Sequence, residues 1–370
     1  MKRIRKNLLI VNLITMLFFA STEIVESILP FFLVTYLGAS MLIVGIIEGF
    51  SEGFSNFLKI VGGYFSDFKR RKRIVVFGLI SFMFSSVSLF FVKRWSDLIL
   101  SIVLKDISEG SLIPAKDYIL SSSYKIKKAE IFSLNRIFEN AGEFLGVFIV
   151  FLYSMFFMNY SIYYLFFVSL LFSTFALLIF LNFREKRLVR SPKKSISWKI
   201  LYPNYLLLFS IFSFINFGYS FYILKVYSQT ESVSASLGFY LVFSIILIVG
   251  TFFSAKLFDK IGESKFLEIT FLTFFISHIL FILLPVAGFL SVAVADAMFE
   301  IGIWGTLGNK IKYRQGFVFG AYHFLIGITS LLSGVFLGYI WDVFGSDVPF
   351  WIGAVISIFG YLVLKYLFRR

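Results

Sequence analysis

The stretch GGYFSDFKRRKRIVVFG, residues 62–78, leaves one apolar run, crosses a single aspartate and five consecutive cations, and enters another apolar run. A loop so short and so basic reads as a cytoplasmic turn between two membrane helices, because Lys and Arg accumulate on that side of a bilayer. Composition agrees. Of the 370 residues, 59% are hydrophobic and only 15% charged, whereas a soluble domain carries about a quarter charged residues. A formal net charge of +14 would suit nucleic acid if it formed one soluble basic face. Here the cations sit in short loops between apolar runs, so the partner is the lipid bilayer and no nucleic acid is expected.

About 20 apolar residues cross a bilayer core. That rule places twelve spans, at 8–37, 41–66, 74–92, 97–122, 130–156, 160–183, 201–226, 233–257, 265–285, 288–311, 316–341 and 348–367. The runs are continuous rather than alternating, which excludes a closed β-barrel. The opening MKRIRKNLLIVNLITMLFF has the basic head and apolar run of a secretory signal. Its apolar character persists to Leu37 without a small-x-small cleavage site, so it reads as a retained first helix. With the N-terminus inside, 28 of the 35 Lys and Arg fall in cytoplasmic segments or within two residues of a cytoplasmic span end, and 3 likewise on the outer side. The other four, Lys59, Lys105, Lys116 and Arg136, lie at least five residues inside spans. This bias expects a multi-pass plasma-membrane protein with both termini cytoplasmic. The basic connection 184–200 separates a first six-helix bundle, 1–183, from a second, 201–370.

The opening loop has the pattern Gly63-x-x-x-Asp67-x-x-x-Arg71-Lys72-Arg73, and an echo follows the eighth span: Ala255-x-x-x-Asp259-Lys260-Ile261-Gly262. Both aspartates follow the second helix of their half, which is the internal repeat expected of a transporter. On these residues the chain resembles the major facilitator superfamily, whose signature between helices two and three is Gly-x-x-x-Asp-Arg-x-Gly-Arg-Arg. Gly63, Asp67, Arg71 and Lys72 match it, and Phe68 and Arg70 depart from it. In the second half Asp259, Lys260 and Gly262 match, with Ala255 in place of the leading glycine. The segments VGIIEGFSEGFSNFLKIVGGYFSD, PAKDYIL and FSLNRIFENAG are similar to segments of poorly assigned transporters of that superfamily.

The resemblance implies an all-α integral membrane protein of twelve helices in two pseudo-symmetric six-helix bundles, acting as a monomer without a cofactor. It also implies a central cavity walled by helices one, two, four, five, seven, eight, ten and eleven. In physical terms, Gly63 would let two helices approach closely, and Asp67 would accept from an opposing helix N-terminus. The gate is therefore expected to involve Gly63, Asp67, Arg71, Lys72, Asp259, Lys260 and Gly262. Asp117, near the cytoplasmic end of helix four, is expected to join it by pairing with Arg71 or Lys72. A third copy, Gly338-x-x-x-Asp342, ends helix eleven on the outer side with no basic run after it. It reads as a polar turn.

Ionisable residues inside spans cost about 2.5–3.5 kcal/mol each at a helix centre and so point to function. Eleven of the 21 acids lie at least five residues inside a span: Glu23, Glu26, Glu48, Glu52, Asp106, Glu109, Asp117, Glu139, Glu143, Asp296 and Glu300. Those other than Asp117, with Arg136, are the candidate substrate- and proton-binding set. Glu23/Glu26 and Asp106/Glu109 are three apart, and Glu48/Glu52, Glu139/Glu143 and Asp296/Glu300 four apart, so each pair shares a helix face. Counting about 1.5 Å per residue puts Glu52, Glu109 and Glu300 roughly 16–18 Å deep, near the midplane. Arg136 and Glu139, one turn apart, also fit a structural ion pair. The acids outnumber the four intramembrane cations, so the surplus carries protons or cradles a cation.

The second half adds Asn216, Tyr219, Tyr222, Trp304, Asn309, Tyr322 and His323 on inner helices. Val147 stands where drug antiporters of the superfamily carry the proline of a Gly-Pro element. With no cysteine and only two histidines, thiol chemistry, disulfides and the usual zinc spacings are excluded. There is no Walker-type loop either, and an enzyme is not expected. The expected protein is a proton-coupled secondary transporter of a small molecule, leaning to export of cationic or lipophilic compounds. Proton-coupled uptake of a metabolite, or a non-transporting receptor on the same scaffold, are the alternatives.

Overall fold

The computed structural model describes residues 2–68, 71–123, 128–157, 161–185, 203–310 and 315–367. Within them the chain is helical: α1 (Lys2–Phe31), α2 (Met41–Phe68), α3 (Arg71–Ser88), α4 (Leu98–Ser123), α5 (Lys128–Phe156) and α6 (Tyr163–Leu181), followed by α7 (Pro203–Ile215) and α8 (Tyr219–Thr230). Then come α9 (Val233–Ile261), α10 (Glu263–Leu283), α11 (Pro285–Lys310), α12 (Gln315–Phe344) and α13 (Val348–Leu367). Eleven segments among the described residues are long and apolar enough to cross a membrane. The fourth expected span, α4, lies outside that set because Lys105, Asp106, Glu109, Lys116 and Asp117 crowd its 26 residues. The expected basic connection at 184–200 falls almost wholly outside the described residues.

The seventh span departs from expectation. The sequence predicts one helix over 201–226; the structure gives α7 and α8, broken at Asn216–Gly218. A break inside a membrane frees backbone groups that must find partners in protein, and side chains supply them here. Tyr222 Oη accepts from the Phe217 amide at 2.9 Å, and Ser333 Oγ donates to the Phe214 carbonyl at 2.9 Å. In α1, Pro30 removes one backbone donor, and the helix then widens into a π-turn over Phe32–Tyr36.

The described chain groups into two units, Met1–Leu37 with Phe54–Ser195, and Gly38–Gly53 with Ile196–Arg370. Helix α2 thus contributes its first part to the second unit and the rest to the first. In the first unit Phe18, Leu79, Phe82, Leu112 and Phe180 fill the core. Lipid is as apolar as leucine, so helices in a membrane associate through close packing and interhelical hydrogen bonds. Serines supply those bonds. Ser85 bonds Ser101, Ser81 donates to the Leu104 carbonyl at 2.7 Å, and Ser169 donates to the Ser21 carbonyl at 2.7 Å. The second unit is held by stacked rings. Phe212 lies on Phe271 with centroids 3.8 Å apart, and Phe281 lies between Tyr222 and Phe350.

Between α3 and α4 the exposed Asp97 accepts the amides of Lys93 at 3.0 Å and Arg94 at 2.9 Å. These two bonds hold its carboxyl below the usual carboxylate range. A lowered folded-state value means that the turn gains stability from ionised Asp97 above the unfolded value of about 3.9, and loses it as pH falls through the folded value. Amide hydrogen exchange at Lys93 and Arg94 is therefore expected to accelerate as pH drops below about 4 relative to neighbouring turns. Asp97→Asn should abolish that added acid sensitivity. Equal acid profiles in the two proteins would show that the carboxylate is not what orders the turn.

Candidate functional site

In the first unit the carboxylates of α1 and α4 converge on one lysine. Lys105 Nζ lies 2.5 Å from Glu26, 3.7 Å from Asp106 and 3.8 Å from Glu109. The Asp106 side chain is wholly buried, while Glu109 also accepts from Ser55 Oγ of α2 at 2.8 Å. One ammonium thus faces three carboxylates, and the charge of Lys59, on α2, also acts on Glu109. Lys59 Nζ reaches Asn56 at 3.3 Å.

Nearer the other end of α4, Lys116 is only 2% exposed. Its Nζ contacts Asn135 Oδ1 at 2.9 Å, Asp117 at 3.5 Å and Glu139 at 3.6 Å. Asn135 in turn donates to Asn12 at 2.9 Å and Thr15 at 3.1 Å, tying α1, α4 and α5 together. Arg136 reaches Glu139 at 3.2 Å, which is the one-turn ion pair its spacing allowed. Glu23 is buried where α1 crosses α5, against Gly146. Glu143 is half-buried further along α5.

In the second unit the charges of Glu300, one turn along α11, and Glu52, on α2, act on Asp296, while Glu48 of α2 meets the start of α8. Glu48 accepts the Ser220 amide at 3.1 Å, at the start of α8. It reaches there because Gly218 carries no side chain: a Cβ on Gly218 would lie 2.2 Å from the carboxyl carbon. A carboxylate against a helix N-terminus is a favourable placement for its charge. Asp296 Oδ1 is buried without a hydrogen-bond partner among the described residues, and Glu300 is half-buried one turn along. Glu52 is exposed on α2. The buried His278 meets the α7–α8 break with its ring 4.8 Å from that of Phe217. His323 is half-buried on α12.

Several expectations for the loop motif need correction. Gly63 does not carry the close approach: a Cβ there would meet nothing nearer than Pro114 Cβ, at 4.0 Å. Its neighbour Gly62 does, since a Cβ there would lie 1.8 Å from the Gly110 carbonyl oxygen of α4. One residue is about 100° of helix rotation, enough to turn a side chain from a neighbouring backbone to open space. Asp117 pairs with Lys116 rather than with Arg71 or Lys72.

Arg71 instead donates to the Ser66 carbonyl at 2.7 Å and lies 4.2 Å over the Tyr118 ring. Its amide donates to Glu185 at 2.8 Å. Lys72 caps the end of α6, donating to the Leu181 and Phe183 carbonyls at 2.7 Å each. The Asp67, Trp304 and Asn309 side chains lie outside those described. In the echo, Asp259 and Lys260 are exposed, and Gly262 takes the positive φ of 78° that joins α9 to α10.

Sequence reasoning missed two things. Asn12 and Asn135 within apolar runs were the available signal for the Lys116 network. The second concerns Gly338 and Asp342, which do not form a polar turn. Asp342 lies on α12 and accepts the Met41 amide at 2.9 Å and the Leu42 amide at 2.8 Å, at the first turn of α2.

Long apolar helices with ion pairs in their interiors, and a seventh span broken beside a carboxylate, are the features of a membrane transporter. Residues 11–324 match the sequence model of the Major Facilitator Superfamily, and the chain belongs to that family. It is similar to an uncharacterized MFS-type transporter of Methanocaldococcus jannaschii, 25% identical over 99% of this chain and 96% of the relative. Among solved structures it superposes on a mutant form of the nucleoside transporter NupG with a TM-score of 0.84, at 12% identity over 98% and 100% of the two chains. It also superposes on a peptide transporter POT in complex with sulfate, with a TM-score of 0.80, 15% identity and coverage of 98% and 94%. The human organic anion transporter MFSD10 gives a TM-score of 0.70, at 13% identity over 98% and 99%. The expected fold is therefore shown: an all-α, multi-pass transporter rather than an enzyme.

Proposed function

We propose that the protein moves a small solute by alternating access and couples that movement to protons, leaning to export of cationic or lipophilic compounds. The observation that carries this reading is the single Lys105 ammonium set among Glu26, Asp106 and Glu109. The charge of Lys59 also acts on Glu109, so two cations face three carboxylates. The surplus acid binds a proton or a substrate cation, because an unbalanced charge in a poorly hydrated site is costly. The buried Asp296 oxygen without a partner among the described residues supports the same reading in the second unit. Both termini lie in the cytoplasm, as the 28-to-3 distribution of Lys and Arg indicates. Proton-coupled uptake of a metabolite is the second reading, favoured by likeness to nucleoside and peptide transporters. It uses the same carboxylates.

The test is a proton-flux assay on purified protein in liposomes holding a trapped pH dye. The panel comprises lipophilic cations, nucleosides, dipeptides, sugars and organic acids. Lipophilic cations entering the lumen are expected to drive protons out, which is antiport. Protons moving with a nucleoside or dipeptide would establish the uptake reading instead. Silence across the panel from folded protein would overturn proton coupling.

A further inference from the structure

By sequence α2 belongs to the first six-span half, yet residues 41–53 pack in the second unit, along α12. The approach there is backbone to backbone. A Cβ on Gly45 would lie 2.0 Å from the Gly334 carbonyl oxygen, one on Gly49 2.7 Å from Leu331 Cα, and one on Gly53 3.0 Å from the Gly327 carbonyl oxygen. Glycines four apart on α2 thus form one face, as in small-residue helix pairs of membranes. The seam ends in a polar contact. Gly338 lies against the Met41 backbone, and Asp342, one turn on, accepts from the Met41 and Leu42 amides. Ser40 Oγ accepts the Ile43 amide at 3.4 Å. The first-turn donors of α2, which no helix can satisfy internally, are all engaged.

We infer that Gly338 and Asp342, with the glycine face of α2, form a latch that holds the membrane face opposite the two termini closed. It uses the physics expected of Gly63 and Asp67 at the other face: a glycine for close approach and a carboxylate on a helix N-terminus. The inference rests on the alternating-access reading, under which α2 and α12 must part for that face to open. Gly45 and Gly334 let them meet without interlocking side chains, so parting breaks backbone contacts and the two Asp342 bonds together.

The chain has no cysteine, so one introduced thiol reports alone. Val44, beside Gly45, is 0% exposed, and Val44→Cys in purified protein gives a site for a water-soluble maleimide. Adding Asp342→Asn is expected to raise its labelling rate about fivefold, the scale of a lost helix cap. Asp342→Glu should recover part of the protection. Gly45→Val, which cannot fit against Gly334, should raise the rate more than about tenfold. Ala176→Cys in the core of the first unit serves as the control and should stay protected throughout.

Unchanged Val44→Cys labelling in both Asp342→Asn and Gly45→Val would overturn the latch. So would equal acceleration at Ala176→Cys, since the seam would then be holding the whole fold. Neither result touches the proton-flux assay, so the transport reading stands or falls separately.

Discussion

Replacing Glu109 by Gln is expected to lower substrate-driven proton flux at least about a hundredfold while leaving the folded protein intact, the scale attributed to losing one positioned proton-transfer group. Gln keeps the shape and can still accept from Ser55 Oγ, so the α2–α4 hydrogen bond survives. Lys105 keeps Glu26 and Asp106 as counter-charges, and Lys59, whose charge also acts on Glu109, keeps its contact with Asn56. What disappears is a group able to take up and release a proton beside Lys105. Flux in proteoliposomes and a size-exclusion profile separate the two effects. Normal flux in Glu109→Gln, and likewise in Glu52→Gln and Glu300→Gln, would remove the proton carriers from this set of acids.

The second large effect is on folding, and it separates two adjacent glycines. Gly62→Ala places a methyl 1.8 Å from the Gly110 carbonyl oxygen, and Gly110 is itself closed in by Leu58. The neighbour is backbone, so α2 and α4 must move apart along their crossing, at a cost of about 3 kcal/mol, the upper end of the usual overpacking range. Loss of folded protein in detergent extracts is the expected result. Gly63→Ala meets only Pro114 Cβ at 4.0 Å and should be neutral or stabilising by about 0.5–1 kcal/mol, the usual gain of alanine over glycine in a helix. Thermal unfolding of the two variants decides this. Should Gly63→Ala be stable yet slow in transport, Gly63 acts in a second conformer, where the gating role expected from its spacing would lie. Two equally stable variants would place the α2–α4 crossing elsewhere.

Much of the fold was legible in the residues. Span lengths follow from apolar runs, because a bilayer demands about 20 apolar residues whatever surrounds them. The family could be read from Gly63, Asp67, Arg71 and Lys72, since their spacing repeats in the second half. The candidate acids were legible by type, because charge inside an apolar run stands out without any coordinates. Their partners were not. Lys105 collects carboxylates from α1 and α4, and Lys116 draws on α4 and α5. Sequence spacing reports neighbours on one helix but says nothing about which helices meet.

The break at Asn216–Gly218 was hidden for a related reason. No proline or charge marks it, and it persists because Tyr222 and Ser333 satisfy the freed backbone groups. Gly62 and Gly63 are indistinguishable as letters, and only the helix facing them makes one indispensable for packing. Gly338-x-x-x-Asp342 is the clearest case. Taken alone it lacks the basic run of the cytoplasmic motif and reads as a turn, whereas in the fold its carboxylate meets the first turn of α2. The sequence by itself determined the class of protein, the number of spans and the kinds of charge they bury, because the bilayer acts on each segment separately. Only the tertiary structure decided which glycine is a contact, which acid meets which cation and which aspartate caps a helix, because these depend on distances between segments far apart in the chain.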